Sequence, residues 1–144
     1  MIKNERQYRI TKAQAERFTT TLHALTITPK HGDHPLLHKA QLDALKSQLG
    51  DLQRELTEYE VLRSGKRKVV ALASLEDLPK TLIQARIASG LSQEEFAAKL
   101  GLKSQQIQRY EASEYRSASL ERVTAITRAL GIKLRQPAEL RLVS

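Results

Sequence analysis

A chain of 144 residues is long enough for one ordinary domain or two small ones, and its 24 lysines and arginines against 16 acidic residues leave a net charge of +8. That balance suits a polyanionic partner, while the absence of cysteine excludes disulfides, thiol chemistry and any cysteine-based metal site. The opening MIKNERQYRITK is too polar for a signal peptide and no apolar run approaches the length of a membrane span, so a cytoplasmic location is expected.

From about Asn4 to Leu25, the residues Tyr8, Thr11, Ala15, Phe18, Leu22 and Leu25 recur three and four apart and predict a helix with one apolar stripe. The segment 26–35, TITPKHGDHP, reads as a loop, with Pro35 suited to the first turn of the next helix and Asp33 or His34 near its cap. That second helix, about 35–63, carries Leu42, Leu49 and Leu56 interleaved with Leu45, Leu52 and Tyr59, two sets with seven-residue spacing. The first helix is expected to fold back on this heptad seam. A two-helix hairpin is too thin to bury both apolar faces, so a homodimer contact is expected to use the seam as well, the alternatives being docking on the chain's own C-terminal domain or on a different protein. Ser64-Gly65 ends the helix, and residues 1–64 form the first module.

The linker, residues 65–74, holds the basic run Lys66, Arg67 and Lys68, which reads equally as a solvated linker or as a phosphate contact. Val69 to Ala73 could form a short strand or a packed connection. The charge is uneven: residues 1–64 hold 10 basic against 8 acidic side chains, and residues 65–144 hold 14 against 8. The excess lies in the same half as the second module, residues 75–144.

In that module Ser74, with Asp77 three residues on, is a plausible cap for a helix reaching about Ser89, with Leu78, Leu82, Ile83 and Ile87 inward. Ser92 and Glu95 form a capping box for the next helix, whose apolar face is Phe96, Ala97 and Leu100. Gly101 stands where a left-handed C-cap is expected. A further helix, about 104–111, turns Ile107 and Tyr110 inward and presents Ser104, Gln105, Gln106, Gln108 and Arg109, side chains of the kind that read base edges in a major groove. A last clear helix, about 119–130, opens at Ser117 or Ser119, places Leu120, Val123, Ile126, Thr127 and Leu130 at core spacing, and closes at Gly131. The tail after it reads as an edge strand or a fifth helical turn.

Leu82 and Arg86, Gly90-Leu91-Ser92-Gln93, Phe96-Ala97, Leu100-Gly101, Ile107, Glu111, Ser119-Leu120-Glu121 and Ala129-Leu130-Gly131 occur in an order that resembles the Xre family of phage-repressor-like helix-turn-helix regulators. The resemblance spans residues 78–134. With the N-terminal helical hairpin read from spacing, it makes the expected chain all-α, the hairpin being followed by the five-helix, Xre-type DNA-binding domain that the resemblance implies. It implies that Ser104, Gln105, Gln106, Gln108 and Arg109 face bases, and that Gln93, Lys103, Tyr115 and Arg116 meet phosphates. It makes Glu111 structural, paired with Arg86. Lys103 departs from the Ser or Thr that usually caps this helix, so Ser104 is a candidate cap and the base-facing register is open.

The expected partners are a double-stranded, palindromic DNA operator and a second copy of the chain, the helical seam giving the dimer contact. Small members of this kind also resemble antitoxins that bind a toxin and repress their own operon, which would make residues 1–64 a toxin-binding module. His31, His34 and His38 with Asp33 read as a polar loop and helix start, because cysteine is absent and Pro35 disturbs the spacing of a zinc site. No nucleophile elbow, phosphate loop or metalloprotease motif occurs, so neither an enzyme nor a bound cofactor or metal is expected.

Overall fold

A computed structural model describes residues 1–27, 34–67 and 69–133. The chain divides into two units, residues 1–68 and 69–144. All regular structure among the described residues is helical.

In the first unit, α1 (Glu5–Ile27) and α2 (Pro35–Arg63) form a hairpin. The six residues expected to line the inner stripe of α1 are its least exposed, and Ala15 among them is buried. The hairpin is antiparallel: Tyr8 near the start of α1 stacks on Tyr59 near the end of α2, ring centroids 5.3 Å apart. The Tyr8 hydroxyl donates to Glu60 Oε1 at 2.6 Å, and Arg63 Nη1 donates to Glu5 Oε2 at 2.8 Å. The Glu60 carboxylate, first by accepting that bond, raises the Tyr8 pKa above the ordinary phenol value.

The helix α2 begins at Pro35, where a missing N–H costs nothing, and His34 Nδ1 accepts from the Leu36 N–H at 3.3 Å. Its seam faces α1 within the chain. Leu49 and Tyr59 are buried, while Leu42, Leu45, Leu52 and Leu56 are half-buried. The apolar line then runs to Leu62, 1% exposed, and not to Arg63, the next heptad step from Leu56. An unsupercoiled helix has 3.6 residues per turn, so a face that starts on a seven-residue repeat drifts off it. The tip of the hairpin, where α1 ends and α2 begins, stays apolar: Ile27, Leu36 and Leu37 are all more than half exposed.

The second unit opens with Val69 to Ala73, which form neither a strand nor a packed segment; Val69 and Leu72 are exposed. A 3-10 turn, Leu75–Asp77, precedes α3 (Leu78–Ala88). Asp77 Oδ2 accepts from the Ser74 N–H at 3.1 Å, and Pro79 sits in the first turn of α3. Then come α4 (Gln93–Lys99), α5 (Ser104–Ala112) and α6 (Leu120–Ala129). Their core is Leu82, Ile83, Ile87, Phe96, Ala97, Ile107 and Ile126, which are 0–4% exposed. The described residues thus supply four α-helices of the five expected; the tail that might carry a fifth lies outside them. Leu120 does not join the core. It stands 81% exposed at the first position of α6, because the core face of that helix starts one turn later.

One C-terminal device closes every helix of this unit. The N–H two residues past the C-cap bonds the carbonyl five residues back, and the N–H one past the cap bonds three back. For α4 these are Leu102 N–H to Ala97 O at 2.9 Å and Gly101 N–H to Ala98 O at 3.1 Å. The intervening residue must be left-handed, and Gly101 adopts φ +66° without a Cβ penalty. After α5 the same pair of bonds forms, Tyr115 N–H to Tyr110 O and Glu114 N–H to Glu111 O, but the left-handed residue is Glu114 at φ +50°, followed by Tyr115 at φ +58°.

Candidate nucleic-acid interface

The pair α4–α5 is built by its caps. Ser92 Oγ accepts from the Glu95 N–H at 3.1 Å, and Glu95 Oε2 accepts from the Ser92 N–H at 2.8 Å. These bonds to Ser92, backbone first, hold the Glu95 carboxyl below the ordinary glutamate value. Gly101 then reverses the chain, and α5 starts at Ser104 with Lys103, not Ser104, as N-cap. Lysine has no acceptor, so one arm of a capping box is missing. The other is present: Gln106 Oε1 accepts from the Lys103 N–H at 3.4 Å.

Beneath α5 lies a buried polar knot. Arg86 on α3 and Glu111 at the end of α5 are 3% and 0% exposed at their side chains. Arg86 Nε and Nη2 donate to the two carboxylate oxygens at 2.5 and 2.9 Å, and Nη1 donates to the Leu91 carbonyl at 2.6 Å. Gln93 Nε2 adds a bond to Glu111 Oε2 at 2.7 Å. A fork-on-fork pair with a further carbonyl on the guanidinium and a further amide on the carboxylate avoids the cost of a buried isolated charge. It fixes three points of the fold together: α3, the turn before α4, and the C-terminal end of α5. The pairing of Arg86 with Glu111 fits the structural role expected for the carboxylate. That Gln93 joins it was not legible, since the two are 18 positions apart and no local spacing links them.

With Ile107 and Glu111 turned inward, α5 leaves Gln105, Gln106, Gln108 and Arg109 exposed and Ser104 half-exposed. Lys103, just before α5, and Arg116, in the loop that follows it, are exposed as well. Gln93 is partly exposed with its amide held by Glu111. Tyr115 lies apart from this group. It was expected in a loop facing phosphate, but its ring is 4% exposed and stacks on Tyr110, centroids 6.1 Å apart. Its two-bond cap on α5 swings the side chain inward. Its hydroxyl has no hydrogen-bond partner among the described residues, and burial, then the nearby Glu111 charge, pushes its pKa far above the ordinary phenol value.

The seam residues Leu42, Leu45, Leu49, Leu52, Leu56 and Tyr59 belong to the other unit and are brought together along one side of α2. Of the histidine cluster, His31 and Asp33 lie outside the described residues, as do Lys68 of the basic run and the tail from residue 134. Among the described residues no group of three or more His, Cys, Asp or Glu is placed to hold a metal. No helix among them is long and apolar enough to cross a membrane.

Residues 82–136 match the family described as Helix-turn-helix. No curated protein and no solved structure matches the chain. The second unit therefore carries a helix-turn-helix domain of the Xre-like kind, with α4 and α5 as its motif. A domain of that family makes the chain a DNA-binding transcription regulator, a family not built for catalysis.

Proposed function

We propose that the protein is a sequence-specific repressor whose helix α5 enters the major groove of its operator. The observation that carries this reading is the exposed polar row of α5, from Ser104 to Arg109, flanked by Lys103 and Arg116 and anchored from below by the Arg86–Glu111 pair. Base edges are read by such a row, and the cations and the N-terminal turn of α4 beside Gln93 fix its register on phosphates. One module of this size touches few base pairs. The repressor accordingly binds as a homodimer on a palindromic site, with residues 1–64 giving the dimer contact. Leu49 and Tyr59 are already occupied by α1, so the contact draws on the half-buried Leu42, Leu45, Leu52 and Leu56 and on the exposed Leu36 and Leu37.

A second reading has one observation in its favour: the N-terminal unit is separate from the DNA-reading unit and ends in exposed Ile27, Leu36 and Leu37. In that reading it holds a toxin, and the chain is an antitoxin that represses its own operon. Footprinting on the chain's own promoter tests the repressor: a protected palindrome, with transcription falling as protein is added, is expected. Affinity capture with the full chain, read by mass spectrometry, separates the two. A stoichiometric small partner encoded beside the gene favours the antitoxin; recovery of the chain alone favours the simple dimeric repressor.

A further inference from the structure

The five polar side chains of α5 are not equally available. Gln108 Nε2 donates to Ser104 Oγ at 3.3 Å, so these two, one turn apart, are tied to each other along the helix. Gln106 is bent back to its own N-terminus, where its carbonyl takes the Lys103 N–H. Gln105 and Arg109 are exposed and make no side-chain hydrogen bond or ion pair among the described residues. They also stand four apart, on one stripe of the helix, and point the same way.

We infer that Gln105 and Arg109 alone set base preference, and that each operator half-site carries an A·T pair and a G·C pair about two base-pair steps apart. This rests on the reading of α5 as the groove-entering helix. A glutamine amide matches adenine N6 and N7, and a guanidinium matches guanine O6 and N7, each with two bonds. Four residues of helix rise about 6 Å and successive base pairs about 3.4 Å, so two side chains on one stripe meet bases nearly two steps apart. Ser104, Gln106 and Gln108 are each held by a bond along the helix that fixes where the side chain lies, and their role is to shape and stiffen it. Ala112, one further turn along the stripe, offers no donor or acceptor and ends the readable row.

The test is selection from a pool of random DNA duplexes with the full-length chain and its variants Gln105→Ala, Arg109→Ala, Ser104→Ala and Gln108→Ala, each checked for an unchanged thermal melt. The expected wild-type motif holds an adenine and a guanine with one base pair between them. Arg109→Ala should make the guanine position degenerate and leave the adenine, Gln105→Ala the reverse, each with a loss on the selected site of roughly tenfold to a hundredfold. Ser104→Ala and Gln108→Ala should select the wild-type motif. Replacing the guanine with 7-deazaguanine, which lacks the N7 acceptor, should weaken the wild type and leave Arg109→Ala unaffected. A motif that ignores Gln105 and Arg109, or that changes with Ser104→Ala or Gln108→Ala, overturns the inference while leaving DNA reading intact. Enrichment of no motif by the wild type overturns both.

Discussion

At the scale of single residues, Glu111 has the most to lose. It is fully buried, and it completes Arg86 while accepting from Gln93. Glu111→Ala leaves a guanidinium buried without its carboxylate, and a loss of about 3–5 kcal/mol is expected in chemical denaturation. Glu114 is the opposite case. It occupies a left-handed position that glycine fills after α3, α4 and α6, so Glu114→Gly should relieve about 1 kcal/mol of strain and raise the melting temperature. Tyr115 gives a pH signature. Its folded pKa lies above its unfolded one, so the folded state holds the phenolic proton more tightly. The stabilisation from this group is complete below the ordinary phenol value of 10.0 and declines as pH rises beyond it. Tyr115→Phe should remove that part of the alkaline decline, and it should cost little at neutral pH because the hydroxyl has no partner to lose. Unfolding curves at neutral and alkaline pH, wild type against variant, check both statements.

At the scale of elements, the hairpin separates what it needs for itself from what it offers. Leu49 and Leu62 are buried within it, so an acidic residue at either would dismantle the hairpin and say nothing about assembly. Leu36 and Leu37 are 72% and 51% exposed in the first turn of α2. Aspartates there favour the helix terminus electrostatically. Leu36→Asp with Leu37→Asp should therefore keep full helical content yet reduce the mass in light scattering from dimer to monomer; an unchanged dimer would move the contact off the hairpin tip. The heptads alone suggested an intermolecular seam as readily as an intramolecular one. Periodicity shows that a face is apolar, and it cannot show which surface covers it.

At the scale of the whole molecule, positive charge bears on affinity for a polyanion. Residues 65–144, the linker and the second module together, hold 14 basic against 8 acidic side chains, and Lys103 and Arg116 flank α5, the helix proposed to enter the groove. Each phosphate contact releases counterions, so log affinity should fall linearly with log salt. Lys103→Ala and Arg116→Ala should each lower that slope by about one while leaving the selected motif unchanged. Titrations of the operator by fluorescence anisotropy across a salt series would show it.

Local signals in the sequence determined a good deal. The helix α2 begins at Pro35 and ends before Ser64-Gly65 as read, because a proline, a glycine and a capping residue act within a few positions of themselves. The capping box at Ser92 and Glu95, the turn at Gly101 and the inward Phe96 and Ile107 were legible for the same reason. The all-α class and the helix-turn-helix domain followed from their order. Tertiary structure decided the rest. It turned Tyr115 inward, left Leu120 outside, drew Gln93 to Glu111 and made Lys103 the N-cap of α5. Each of these depends on where a side chain meets a residue distant in the chain, or on a backbone angle imposed by a neighbouring helix end. Spacing carries which face of a helix is apolar; only packing fixes which side chains on the polar face remain free to bind.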